Sequence, residues 1–189
     1  MLNLLYILLV IVLIVFYVLY VGIIKRKNKV QESWSDIDVQ LKKRYDLIPN
    51  MVEVAKKYME HESSVLEEVT RIRSQIVSNP AQSEAKIPEK ERLVQETLLG
   101  SSLQKFMMKV ENYPDLKANK TMLDLQQTLT EVEEHIAAAR RFYNSNVTEL
   151  NNVTKIFPGN MVAGIIGLKP VDYFTAENEA KEPQKISMT

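Results

Sequence analysis

The chain has 189 residues, with 24 lysines and arginines against 24 aspartates and glutamates, two histidines, five glycines and no cysteine. That length holds one membrane anchor and one modest domain, and the even charge balance excludes a broadly basic nucleic-acid binder. Without cysteine there is no disulfide, thiolate-ligated zinc, iron–sulfur cluster or thiol nucleophile, and so few histidines and glycines are a poor stock for a catalytic machine.

From Leu2 to Ile24 no residue carries a charge. A helix of that length spans roughly 34 Å, enough to cross a ~30 Å hydrocarbon core. Lys25, Arg26, Lys27 and Lys29 follow at once, and a basic cluster on that side places the N-terminus outside and the remainder in the cytoplasm. Tyr17 and Tyr20 suit an aromatic belt near the inner boundary. A cleaved secretory signal would carry its basic residues ahead of a shorter apolar run and end in a small-residue cleavage site, and this segment does neither. Residues 1–24 therefore read as an uncleaved anchor. The basic cluster is also a candidate contact for anionic lipid, worth about 1 kcal/mol per charge near the surface; the simpler reading is that it only sets orientation.

Beyond the anchor the pattern turns periodic. Trp34, Ile37, Leu41, Tyr45, Ile48, Val52, Ala55, Met59, Leu66, Val69 and Ile76 recur in steps of three and four, losing phase only around Glu62 and Arg73. Such a stripe is the seam of long helices packed side by side. Pairs of opposite charge four apart (Asp38 with Lys42, Glu53 with Lys57, Glu67 with Arg71) assist it by ~0.2–0.5 kcal/mol each. Pro49 leaves two readings. Unbroken phase from Tyr45 through Val52 favours one kinked helix, whereas Asn50 followed by Glu53 resembles a capping box and favours a turn. Residues 78–83 are polar and rich in breakers, and predict a surface loop. A second segment is expected from Pro88 to Asn112, with its seam at Leu99, Leu103, Phe106 and Val110. Pro114 closes it, and Asp115 is placed to cap a third. That one reads Met122, Leu125, Leu129, Val132, Ile136, Ala139, Tyr143, Leu150 and Phe157, and stops at Pro158-Gly159. No stretch alternates long enough to demand a strand. The prediction is an all-α protein: a transmembrane helix, then an antiparallel bundle of three long helices, or four if Pro49 is a turn, over residues 25–174.

Chemistry is hard to place on this scaffold. A di-metal carboxylate site in a bundle needs Glu three residues before His, but Tyr58 precedes His61 and Val132 precedes His135. His61-Glu62 continues without the second histidine of a zinc protease, and neither a Gly-x-Ser-x-Gly elbow nor a P-loop occurs. His61 and His135 read as ordinary polar-face residues. Neither cofactor nor metal nor catalysis is expected. Arg44 and Asp46 flank Tyr45, and Arg140 and Arg141 precede Phe142; these are candidates for an interhelical or partner-binding polar cluster, with solvated faces and register-fixing interhelix ion pairs as the simpler account. Residues 159–168 are apolar and glycine-punctuated but too short to span a bilayer. The expectation is a segment folding back over one end of the bundle, joined by Val171, Tyr173 and Phe174; the sharper alternative exposes Met161, Val162 and Ile165 to a protein partner or the membrane surface. Residues 175–189 are polar and of mixed charge, as in a disordered tail.

Four motifs are recognisable in order: Asp38 through Asn50, Glu111 through Asn119, Ala139 through Asn144, and Phe157-Pro-Gly-Asn160. Together they resemble the LemA family of bacterial membrane proteins over nearly the whole chain. The resemblance implies an N-terminal anchor with its N-terminus outside and a cytoplasmic four-helix bundle at a bacterial inner or plasma membrane, and it tilts the open Pro49 question towards a turn. It carries over no catalytic residue. Related proteins are associated with magnetosome membranes, and LemA genes often neighbour those of membrane proteases. The leading expectation is a membrane-tethered interaction or scaffold module, alone or as a homo-oligomer, with an unknown protein partner. The alternative is a lipid-surface or membrane-organising protein.

Overall fold

The computed structural model describes residues 2–78, 87–88 and 90–174. Its helices, in chain order, are α1 (Leu2–Lys56), α2 (Ser63–Val77), α3 (Lys90–Val110), α4 (Pro114–Lys117), α5 (Lys120–Lys155) and α6 (Gly159–Ile165). No strand occurs among the described residues, in keeping with the all-α prediction. The expected tail and residues 79–83 of the expected loop lie outside the described residues.

α1 is a single helix of 55 residues that contains both the apolar opening segment and the first wall of the bundle. Its first half bares Leu4 through Val15, whereas from Ile23 onward the seam residues Val30, Trp34, Ile37, Leu41, Tyr45 and Ile48 are buried. Pro49 lies inside this helix, so the turn favoured by the family resemblance is not there. The reason is local. Pro49 has no N–H for the carbonyl of Tyr45, four residues back, and Arg73 Nε of α2 donates to that carbonyl instead, at 2.8 Å. The exposed proline ring is tolerated because the orphaned acceptor has a partner from the neighbouring helix.

The break falls later, between Lys56 and Ser63. Tyr58 N–H and Met59 N–H both donate to Ala55 O at 2.9 Å, tightening the last turn, and Met59 is buried at the corner. α2 then returns along α1. This explains both losses of phase: Glu62 lies in the corner, where its carboxylate accepts from Lys109 Nζ at 2.9 Å, and Arg73 leaves the seam to serve Tyr45.

Boundaries elsewhere shift modestly. α3 is described from Lys90, beyond Pro88, and ends at Val110 rather than Asn112. Asp115 does not cap the long third segment; it lies within the short α4, and Asn119 caps α5 by accepting from Met122 N–H at 3.1 Å. α5 ends at Lys155, so Phe157 is not a seam residue and is 74% exposed.

α5 packs antiparallel along α1, α2 packs on α1 and α3 packs on α2. Trp34 meets Tyr143 edge-on at 5.9 Å between ring centroids, and Arg44 Nη1 meets Glu133 Oε1 at 3.2 Å. Both pairs have the same register, which carries Lys155 to the level of about Gly22. After α5 the chain reverses sharply. A Cβ at Gly159 would strike the Val153 carbonyl, so only glycine lets α6 come this close to the helix it has just left. α6 packs against α1 and α5, and residues 166–174 run back as a strap along α5, as the fold-back expectation has it.

Candidate functional site

Three features of the bundle are available for function: a buried charge cluster, a groove beside it, and the end nearest the apolar helix. The cluster is built from α1 and α3. Arg92, Glu96, Leu99, Leu103 and Phe106 recur in steps of four and three, so Arg92 and Glu96 occupy core positions of α3. Across from them α1 sets Asp38, Arg44 and Tyr45. Arg44 Nη2 contacts Glu96 Oε2 at 2.5 Å, the Tyr45 hydroxyl donates to Glu96 Oε1, and Arg92 pairs with Asp38 through Nη2 and stands 3.8 Å from Glu96 through Nε. Arg92 also lies 4.8 Å over the Trp34 ring. Arg44, whose simpler account from sequence is a solvated face or a register-fixing interhelix ion pair, is 3% exposed and makes such ion pairs in this cluster. Asp46 is exposed.

Burial pushes the Glu96 carboxyl above the ordinary glutamate range, while Arg44, Tyr45 and Arg92 pull the other way. The Tyr45 phenol is pushed up by burial first and by Glu96 second, so it remains a neutral donor. Charges placed this deep mainly fix register: an α3 shifted by one turn would strand guanidinium groups without a counter-charge.

Beside the cluster, a groove of about 640 Å³ opens between α3 and α5, with Leu103, Met107 and Leu129 among its apolar residues and Glu133 and Arg140 among its charged ones. Arg140 is half-buried, 4.2 Å over the Phe174 ring, and burial lowers its pKa. It holds the strap to the bundle. Arg141 is exposed. The strap itself is gripped by two asparagines of α5. Asn151 Nδ2 donates to Val171 O and Asn151 Oδ1 accepts from Val171 N–H, both at 2.9 Å, and Asn144 treats Phe174 identically at 2.9 Å. These side chains supply a strand's worth of pairing to an extended segment that has no neighbouring strand.

At the other end, Lys25, Arg26 and Lys29 line one hollow with Glu149. Arg26 Nη1 donates to Gly22 O at 3.1 Å, and Lys27 is half-buried. The three α6 candidates divide. Met161 and Ile165 are exposed, at 61% and 71%, but Val162 is buried. Val162 points into the core with Ala163, so it is a packing residue and not a contact offered to a partner. Sequence reasoning missed Asp38, Arg92 and Glu96, although extending the seam Leu99–Leu103 upstream by two steps reaches both α3 members. His61 and His135 are exposed, and among the described residues no three His, Asp or Glu side chains gather as a metal-ligand set.

A helical bundle built onto one long N-terminal helix that is apolar enough by length and composition to cross a membrane, its centre tied by buried charges, defines an all-helical protein. Comparison with known proteins narrows this. A family model described as the LemA family matches residues 33–188. Protein LemA of Metamycoplasma hominis is 28% identical over 161 residues, which cover 83% of this chain and 71% of that protein. Magnetosome protein MamQ 2 of Paramagnetospirillum magneticum is 31% identical over 84 residues, 44% of this chain and 31% of the relative. Magnetosome protein MamQ of Magnetospirillum gryphiswaldense is 31% identical over 75 residues, 40% of this chain and 28% of the relative. The chain belongs to the LemA family.

Proposed function

We propose that this protein is a single-pass, membrane-tethered interaction module without catalysis, its N-terminus outside and its bundle on the cytoplasmic face of a bacterial membrane. The observation that carries this reading is the continuity of α1. The same helix that is apolar from Leu2 to Ile24 supplies Trp34, Leu41, Arg44 and Tyr45 to the bundle core. A domain on a flexible leash samples many heights, whereas one built on its own anchor is held at a fixed height. That concentrates its exposed surfaces for partners in the same plane. The basic cluster at Lys25, Arg26, Lys27 and Lys29 supports the orientation.

The partner-facing surface of this proposal is the groove between α3 and α5 with Arg141 beside it. Photo-crosslinking residues at Gln104 and Arg141, introduced singly into the full chain in intact cells, test it. Discrete protein adducts from these positions, absent from the exposed α2 position Arg71, are expected. Equal, diffuse labelling from all three would contradict an interaction module acting through this groove.

A further inference from the structure

The corner between α5 and α6 is a larger apolar surface than a folded end needs. Ile156 and Phe157 leave α5 at 62% and 74% exposed, and Met161 and Ile165 continue the display. Met161 and Ile165, four apart in α6, share its exposed face, and Phe157 just ahead of the helix is exposed with them, while Val162 and Ala163 turn inward. From Ile156 to Leu168 no residue is charged. Lys155 and Lys169 bracket this run, both exposed.

The height of the corner says what covers it. The register of α5 on α1 brings Lys155 to about Gly22, already inside the apolar segment. α6 begins beside Val153, whose carbonyl a Cβ at Gly159 would strike, and packs on α1, and the α1 residues drawn into the hydrophobic cluster at this end are Phe16, Leu19 and Ile23. Phe16 lies roughly 13 Å of helix below Lys25. By the same register the exposed side chains of Tyr17 and Tyr20 on α1 stand at about the level of the corner. If α1 crosses the bilayer, Phe157, Met161 and Ile165 are already at the depth of the headgroup–acyl boundary, where amphipathic helices rest with cations at the surface.

We propose that the α5–α6 corner is a second, re-entrant membrane contact: Ile156, Phe157, Met161 and Ile165 enter the leaflet on the domain's side, with Lys155 and Lys169 at its phosphates. The occupant of this face is lipid. The contact fixes the bundle's tilt and rotation at two points, where α1 alone would leave it free to spin about its own axis. The inference rests on the membrane tether proposed above, and one experiment separates the two.

The native chain has no cysteine, so single substitutions Tyr20→Cys, Phe157→Cys, Ile165→Cys and Lys105→Cys each place one dye on the full-length protein. The proteins are reconstituted in vesicles of phosphatidylethanolamine and phosphatidylglycerol that carry a nitroxide high on the acyl chain. Dyes at 157 and 165 should be quenched about as fully as the dye at 20, and several-fold more than the dye at 105 on distant α3. Quenching at 20 with none at 157 and 165 would overturn the re-entrant contact alone. No quenching at 20 would overturn the tether and the contact together. Dyes at 157 and 165 that are shielded from aqueous iodide yet untouched by the nitroxide would assign this face to a protein neighbour, which also overturns the proposal.

Discussion

Glu96 lies in the interior with two guanidinium groups and a phenol around it, and its removal has a calculable effect. In Glu96→Ala, Arg44 and Arg92 keep their burial and lose one counter-charge each, with Glu133 and Asp38 still paired to them, so the loss is about 3 kcal/mol, the low end for a broken buried pair. Denaturant unfolding of the full chain in mild detergent at neutral pH measures this, and a change no larger than that of an exposed glutamate would mean that water reaches the cluster. The pH dependence carries a sign of its own. Because burial raises the Glu96 carboxyl above its ordinary value, the folded protein holds a proton that the unfolded chain has already released. Its contribution is complete below the ordinary glutamate range and is lost as pH rises through the folded-state value. Glu96→Gln should therefore flatten the decline in stability across that window, relative to the native chain. An identical slope in both proteins would assign the decline to another group.

Among the elements, the α1–α2 pair shows how a helix survives a proline. The Tyr45 carbonyl is satisfied from outside by Arg73, so Arg73→Met should cost about 1–3 kcal/mol by leaving a buried acceptor unpaired. In a Pro49→Ala background the helix can close its own hydrogen bond, and the same Arg73→Met change should cost much less. Equal costs in the two backgrounds would reduce Arg73 to a packing role. This pair also marks where sequence pattern stops being informative. The seam from Trp34 to Ile76 was legible because burial imposes period 3.6 on whichever helix it falls on, and the α1 and α5 stripes are buried largely as read. The position of the break was not legible. Heptad phase runs on through Met59 because Met59 is buried in the corner as well as it would be in a helix, and the donor that satisfies the Tyr45 carbonyl comes from a residue 28 positions away from Tyr45. The charge cluster was hidden for a related reason: Arg92 and Glu96 keep helical phase, but periodicity read from apolar side chains passes over them. The asparagine clasp on the strap belongs to the same class, since Asn144 and Asn151 are polar residues whose partners, Phe174 and Val171, are set by tertiary contact alone.

For the whole molecule, anchor and core are one piece of secondary structure. α1 carries the apolar opening segment, the basic cluster and the wall on which α5 and α2 pack, so the proposed tether and the stability of the bundle run through a single rod. Family membership over residues 33–188 describes the bundle; what distinguishes a held module from a tethered one is the stretch between Gly22 and Trp34, where a linker would otherwise stand. Hydrogen exchange of the full-length protein in bilayer nanodiscs reads that stretch directly. The account predicts that the amides from Lys25 to Ser33 exchange as slowly as those around Leu41, because they belong to one helix whose inner face is buried against α5. Exchange of Lys25 to Ser33 at the rate of an unstructured chain, with Leu41 still protected, would contradict it.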